Sequence, residues 1–108
     1  MFQHINIEKL NEIMEANEPL HVVDIRDPQS YAMGRISGAK PLDNSNVQDF
    51  IANTPKQETV VVCCYHGNSS QSAAQFLGEQ GFTNVYSLDG GFEMWKLAKP
   101  EKVEPQNN

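Results

Sequence analysis

Apolar residues occur along this chain in short continuous runs that are separated by polar and turn-forming segments. The strongest run covers residues 59–63, and similar runs cover residues 20–25 and 84–88. Near-continuous runs rich in β-branched residues are typical of strands buried on both faces. Each run therefore predicts a strand, and residues 5–7 and 39–42 predict two shorter strands.

Between these runs the apolar residues return at helical spacing, as in the series Ile7, Leu10, Ile13 and Met14. Such spacing gives one buried face and predicts amphipathic helices. Ser45 with Gln48 matches a capping box at the start of the third helix, and Gly81 is suited to end the fourth. The predicted helices cover residues 7–17, 30–33, 47–53 and 71–80, and a last one contains Phe92, Trp95 and Leu97.

Strands that alternate with helices predict an α/β fold with a mainly parallel sheet covered on both faces. The length of 108 residues indicates one domain with a modest core. We expect this domain to cover residues 1–98. Residues 99–108 contain two prolines and few apolar side chains, so we expect this tail to fray.

Charge and composition argue against several classes of partner. The net charge is −6, and the eight Lys and Arg residues are not clustered, which argues against nucleic acids and anionic membranes. No apolar run is long enough to span a bilayer, and the first residues do not resemble a secretory signal.

The two cysteines are adjacent and offer no disulfide framework, which fits a reducing, cytoplasmic location. No Cys or His spacing indicates a metal site, so no metal is expected.

Cys64 lies where the strongest predicted strand ends and a predicted helix begins. A loop that wraps back there points its N–H groups at the sulfur, and the helix N-terminus favours an anion. The same surroundings lower the pKa of a thiol, so Cys64 is the candidate nucleophile. The segment after it is the candidate substrate-binding loop. This loop consists of Tyr65, His66, Gly67, Asn68, Ser69 and Ser70.

The neighbours of Cys64 have simpler interpretations. Cys63 faces the other side of the strand, because side chains alternate there, and is expected to pack in the core. His66 either acts as a base or, as we expect, points into solvent. Asp24 and Arg26 either brace the loop or form an ordinary ion pair, and we favour a structural role. Ser69 and Ser70 are expected to offer their hydroxyl groups to an anionic donor.

Three segments in order resemble those of the single-domain rhodaneses, a family of sulfurtransferases. They are residues 22–39, residues 64–69 and residues 81–95, and they span nearly the whole chain. The loop closely resembles that of the GlpE-type thiosulfate sulfurtransferases of bacteria. One departure is Arg35, where the family usually has a structural His, and it concerns local packing more than activity.

The resemblance implies a rhodanese-like three-layer fold with a sheet of about five strands. It also implies an enzyme that moves a sulfane sulfur from thiosulfate, or a similar donor, to cyanide or a thiol through a persulfide on Cys64. A thioredoxin-like protein is one candidate for the thiol acceptor, and no cofactor is expected.

Other functions compete with this one. A cysteine phosphatase needs an Arg six residues after the nucleophile to hold phosphate, and this chain has Ser70 there. A rhodanese-like protein-binding module is a second alternative, although such modules commonly lack the cysteine. A third is a redox relay in which Cys63 resolves an oxidised Cys64, which opposite strand faces make awkward.

Overall fold

The computed structural model describes residues 1–105, which form a central parallel sheet with helices on both faces. The sheet has the strand order β1-β6-β5-β2-β4, and all its pairings are parallel. Its strands are β1 (Gln3–Ile5), β2 (Leu20–Asp24), β4 (Lys40–Pro41), β5 (Thr59–Cys63) and β6 (Val85–Leu88). The predicted α/β class and five-stranded parallel sheet are confirmed.

The described residues form five α-helices, and four of them cover the two faces of the sheet in pairs. The five helices are α1 (Ile7–Glu15), α2 (Pro28–Met33), α3 (Val47–Asn53), α4 (Ser69–Glu79) and α5 (Gly91–Ala98). Side chains of α1 and α5 pack with Val61 and Cys63 on one face. Side chains of α3 and α4 pack with Val60 and Val62 on the other. The strand β5 is therefore buried on both sides, as its apolar run predicts, and its four residues from Val60 to Cys63 are fully buried.

Several predicted boundaries shift for identifiable reasons. The first strand lies at Gln3–Ile5 instead of residues 5–7, because Asn6 is extended and its side chain accepts a hydrogen bond from the Lys9 N–H at 2.8 Å. That bond starts α1 at Ile7. The predicted capping box is wrong, since Asn46 is the N-cap of α3 and the Ser45 hydroxyl donates to Asp43 instead. Gly81 does follow the end of α4, in the left-handed region at φ 107°.

The C-terminal segment forms regular structure where we expected a frayed tail. Pro100–Lys102 is a short 3₁₀-helix, and β7 (Val103–Glu104) pairs antiparallel with β3 (Arg35–Ile36). The indole N–H of Trp95 donates to the Lys102 carbonyl at 3.0 Å, which gives this buried group its partner. The frayed tail is therefore wrong for residues 100–104, and residues 106–108 lie outside the described residues.

Arg35, the departure from the family pattern, lies in the small β3–β7 sheet. Its guanidinium stacks over the Tyr31 ring, 4.7 Å from the ring centroid, and donates to the Tyr31 carbonyl at 3.2 Å. It also lies 3.9 Å from the Glu104 carboxylate. Arg35 therefore joins α2 to the C-terminal segment. Within residues 1–105 no helix is long and apolar enough to cross a membrane.

Candidate active site

Cys64 follows β5 directly, at the carboxyl edge of the sheet, and a short loop leads from it to α4. Since β5 lies between β2 and β6, the thiol lies near the middle of the carboxyl edge of the sheet. Open α/β folds place their functional loops at this edge. The side chain is nearly buried, at 3% exposure. The sequence-predicted nucleophile therefore sits in a pocket of backbone, and its surroundings decide its reactivity.

Hydrogen-bonding groups of the loop and of the first turn of α4 surround the Cys64 sulfur. The backbone N–H groups of Gly67 and Ser70 donate to it at 3.2 and 3.3 Å. The Ser70 hydroxyl oxygen lies 3.2 Å from the sulfur. A sulfur that accepts hydrogen bonds from two backbone N–H groups is suited to carry negative charge, in the same way that an oxyanion hole suits an oxygen.

The balance of these contacts lowers the pKa of Cys64. Burial is the largest single influence and raises the pKa of this thiol. The hydroxyl and N–H of Ser70, together with the N–H groups of Gly67 and His66, outweigh burial and bring the pKa below its ordinary value. The loop therefore favours the thiolate, which is the reactive form of cysteine.

Gly67 allows the loop to turn its N–H groups inward. Its φ is +93°, and a Cβ there would lie 3.0 Å from both the Gly90 nitrogen and the Leu88 carbonyl oxygen. The Gly67 carbonyl accepts a hydrogen bond from the Gln71 side chain at 2.9 Å. A side chain at position 67 is excluded both by backbone conformation and by space.

The N-terminus of α5 holds the loop from behind. The N–H of Phe92 donates to the Cys64 carbonyl at 2.8 Å, and the N–H of Glu93 donates to the Tyr65 carbonyl at 3.1 Å. Gly91 permits this approach, because a Cβ there would lie 2.6 Å or less from both carbonyl oxygens. With its carbonyls tied to α5, the loop is left to present N–H groups to the sulfur.

Tyr65 connects the loop to α2. Its hydroxyl donates to the Asp27 carboxylate and lies 2.7 Å from the Ser30 hydroxyl. Hydrogen bonds from Tyr65, and then from Ser30, lower the pKa of Asp27 to about 2. Tyr65 is therefore anchored at its tip, while the residue remains 38% exposed at the rim of the site.

Asp24 and Arg26 form a nearly buried ion pair beside the loop, with their side chains 0% and 3% exposed. The Arg26 guanidinium donates to both carboxylate oxygens, and its shortest bond to them is 2.7 Å. It also lies over the Phe92 ring, 4.3 Å from the centroid. This geometry gives the pair the structural role we favoured, and it braces the base of α5.

The other loop residues differ in where their side chains lie. His66 is exposed, as expected, and so are Asn68 and Ser69. Asn68 is the N-cap of α4, but its side chain makes no capping hydrogen bond within the described residues. Ser70 corrects our expectation, because it is fully buried and its hydroxyl faces the Cys64 sulfur, so that it is not offered to an incoming donor.

Cys63 has the opposite environment. It belongs to the core cluster beneath α1 and α5, and it is fully buried. Burial, with the nearby Asp24 carboxylate, raises the pKa of the Cys63 thiol far above its usual range. The two adjacent thiols therefore have pKa shifts of opposite direction.

Sequence reasoning missed Ser87 and Gln71, which support the site from β6 and α4. The Ser87 hydroxyl lies 2.7 Å from the Ser70 hydroxyl, and both residues are fully buried. A serine in an otherwise apolar strand is a weak signal that could have pointed to it. For metals, residues 1–105 contain no group of three or more His, Cys, Asp or Glu side chains placed to hold an ion.

A thiol held by backbone N–H groups at the carboxyl edge of a parallel sheet defines a class of α/β domains that use a cysteine nucleophile. Within that class, residues 6–98 match the Rhodanese-like domain, and the chain belongs to this family.

Curated relatives and solved structures agree with this membership. A protein of Pseudomonas paraeruginosa named thiosulfate sulfurtransferase GlpE is 54% identical over 99 residues, covering 92% of this chain and 88% of the relative. One of the same name from Pseudomonas putida is 50% identical over 106 residues, covering 98% and 96%. A rhodanese-related protein from Thermoplasma volcanium has a TM-score of 0.76 at 26% identity, covering 91% of this chain and 94% of its own. A structure from Staphylococcus saprophyticus has a TM-score of 0.75 at 28% identity, covering 87% and 93%.

Proposed function

We propose that this protein is a thiosulfate sulfurtransferase that carries the transferred sulfur as a persulfide on Cys64. The observation that carries the proposal is the Cys64 sulfur at the start of α4, which accepts hydrogen bonds from two backbone N–H groups and lies 3.2 Å from the Ser70 hydroxyl oxygen. The name shared by the Pseudomonas relatives supports thiosulfate as the donor.

In the first step the Cys64 thiolate attacks the outer sulfur of thiosulfate. A new S–S bond forms to Cys64, the S–S bond of thiosulfate breaks, and sulfite leaves with the electron pair of that bond. The product is a Cys64 persulfide with one negative charge on its outer sulfur. Loop N–H groups stabilise this charge, and covalent catalysis divides one transfer into two easier steps.

In the second step an acceptor takes the outer sulfur. Cyanide attacks it, thiocyanate leaves, and the electron pair of the persulfide bond returns to Cys64 as a thiolate. A thiolate acceptor reacts in the same way and becomes a persulfide itself. We infer that a thiol, including one on a thioredoxin-like protein, is the acceptor in a reducing, cytoplasmic setting.

The roles we assign to the loop follow from exposure. Tyr65, His66, Asn68 and Ser69 are exposed, and we assign them contact with the donor or acceptor. Gly67 and Ser70 hold the sulfur from within. A base role for His66 lacks support, because the residue is exposed and the sulfur has hydrogen-bonding partners without the imidazole.

The competing functions receive less support from these contacts. A phosphatase needs a guanidinium at position 70, where a buried serine contacts the thiol. A redox relay needs the two sulfurs to meet, whereas Cys63 packs under α1 and α5 while Cys64 faces Ser70 of α4.

Mass spectrometry of the intact protein after thiosulfate treatment and desalting tests the proposal. We expect added mass equal to one sulfur atom, on the peptide that contains Cys64, and its removal by cyanide with formation of thiocyanate. The Cys64→Ser variant should gain no mass. An unmodified wild-type protein, under conditions that load a control rhodanese, would overturn the proposal, as would hydrolysis of an aryl phosphate in its place.

A further inference from the structure

Ser87 has no assigned role in the two sulfur-transfer steps. It lies in β6, where it pairs in register with Val62 of β5, and it is fully buried. Its hydroxyl oxygen is 2.7 Å from that of Ser70, which in turn is 3.2 Å from the Cys64 sulfur. A buried hydroxyl is costly unless it is hydrogen-bonded. Ser87 meets this requirement through Ser70, and Ser70 in turn connects it to the Cys64 sulfur.

We propose that Ser87 is a positioning residue for the sulfur-transfer reaction, and that its hydroxyl holds the Ser70 hydroxyl against the Cys64 sulfur. The reaction assigned here rests on the proposed function. The contact between the two serines and the thiol does not, and it can be tested by thiol reactivity alone.

The paired hydroxyls can serve both protonation states of Cys64. In the thiol form the S–H donates to Ser70, and Ser70 donates to Ser87. In the thiolate form the direction reverses, so that Ser87 donates to Ser70 and Ser70 donates to the sulfur. A hydroxyl that accepts a hydrogen bond becomes a stronger donor, so Ser87 strengthens the bond to the charged sulfur most.

The experiment compares Ser87→Ala, Ser70→Ala and the double variant with the unmodified protein. Ser72→Ala is the matched control, because Ser72 is an exposed serine in the same helix, α4. The measurement is the rate of alkylation of Cys64 by iodoacetamide across a range of pH. Mass spectrometry assigns the modification to Cys64 and so separates it from Cys63.

We expect Ser70→Ala to slow alkylation about tenfold on the acidic side of the profile, the size of one hydrogen bond to a charged group. Ser87→Ala should slow it about threefold, because it weakens that bond without removing it. The double variant should match Ser70→Ala, since Ser87 acts through Ser70. Ser72→Ala should follow the unmodified protein, and the pH profile of kcat/KM for thiosulfate should move with the alkylation profile.

Other charged and titratable groups lie on the elements around Cys64 and are identical in all these variants. Differences between the variants therefore report the hydroxyl groups. The surrounding groups are Asp24, Arg26, Cys63, Tyr65, His66, Asp89 and Glu93.

Three results would overturn the role of Ser87. They are an unchanged profile in Ser87→Ala, faster alkylation in that variant, or a double variant much slower than Ser70→Ala. If circular dichroism shows that Ser87→Ala is unfolded, Ser87→Cys replaces it, since a thiol is close in size and a weaker donor, and the same slowing is expected. A protein that takes no sulfur from thiosulfate, yet shows these alkylation profiles, would contradict the proposed function and leave Ser87 as a support of the thiolate.

Discussion

Two adjacent cysteines are both buried, yet their surroundings shift the pKa values of their thiols in opposite directions. Cys63 lies within the strand, among apolar side chains that raise its pKa. Cys64 lies just past the strand, where loop N–H groups and a hydroxyl lower its pKa. The alternation of side chains along β5 predicts this difference, because it turns the two thiols to opposite faces.

Replacing each cysteine by serine should therefore separate activity from stability. Cys64→Ser should abolish thiosulfate:cyanide transfer and keep its fold, because a hydroxyl cannot carry the persulfide. Cys63→Ser should keep most of the activity and lose about 1–3 kcal/mol of unfolding free energy, because it buries a poorly paired hydroxyl. Urea unfolding and a thiocyanate assay measure the two effects. Equal loss of activity in two folded variants would contradict the assignment of Cys64 as the nucleophile.

The hydrogen bond from Tyr65 to Asp27 predicts how the stability of the protein depends on pH. Its hydroxyl is the main cause of the low pKa of Asp27, which is about 2. A carboxyl whose pKa is lowered by folding stabilises the folded state above its unfolded pKa, and this contribution is lost as the pH falls from about 4 towards 2. Tyr65→Phe should raise the Asp27 pKa towards its usual value and shrink that acid-sensitive contribution.

A pH titration of the carboxyl groups by NMR measures this change. Tyr31→Phe is the matched control, because the Tyr31 hydroxyl donates to the Ala39 carbonyl and has no bond to Asp27. We expect the Asp27 titration to be unaltered in that variant. If Asp27 titrates identically in Tyr65→Phe and the unmodified protein, then the Tyr65 hydroxyl does not anchor the loop to α2.

At the scale of elements, α5 completes the site as much as α4 does. Its first N–H groups bind the carbonyls of Cys64 and Tyr65, and Gly91 lets the two backbones meet. The Gly90–Gly91 pair is visible in the sequence as a turn. Its contact with the loop is not visible there, because it joins segments more than twenty residues apart.

Gly91→Ala should displace α5 from the loop. Its Cβ would lie 2.5 Å from the Tyr65 carbonyl oxygen, in addition to the strain of a positive φ. We expect sulfur transfer to fall roughly a hundredfold, the scale of losing a preorganised donor, with a clear loss of stability. Steady-state kinetics and thermal unfolding measure both.

Gly38→Ala tests whether backbone strain alone, without a steric clash, produces the effect expected of Gly91→Ala. Gly38 also has a positive φ, +82°, and within residues 1–105 no atom lies within 4 Å of a Cβ built there. This variant should lose about 1–2 kcal/mol from left-handed strain and keep its activity. Similar activities for the Gly38 and Gly91 variants would show that the approach of α5 to the loop is unimportant.

The elements that the sequence predicted best are those whose signals are local. The run at residues 59–63 matches β5 at both ends, and the helical spacing after residue 7 matches α1. The strands β3 and β7 were missed because each has two residues and forms only by pairing with the other. For the same reason Cys64 could be found from its place between strand and helix, whereas Ser87 needed the pairing of β6 with β5.

At the scale of the whole molecule, an acidic protein has to attract an anionic donor. The net charge of −6 opposes the approach of thiosulfate, and residues 64–70 contain no Lys or Arg. Arg26, the cation beside the loop, has its side chain only 3% exposed and paired with Asp24. Full charges of the loop therefore give thiosulfate little help in binding.

A cation added at the rim should improve the use of thiosulfate. Ser70 is unsuitable because it is fully buried against the thiol, whereas Ser69 is exposed at the first turn of α4. We expect Ser69→Arg to lower KM for thiosulfate about threefold at low salt, with a small loss of stability because the new charge opposes the helix dipole. The effect should shrink as ionic strength rises, since salt screens exposed charges.

Gln80→Arg is the matched control, because it adds the same charge at the other end of α4, about 16 Å away. If both variants lower KM equally, net charge limits donor capture. If neither does, or if salt leaves the effect of Ser69→Arg unchanged, charge does not limit donor binding.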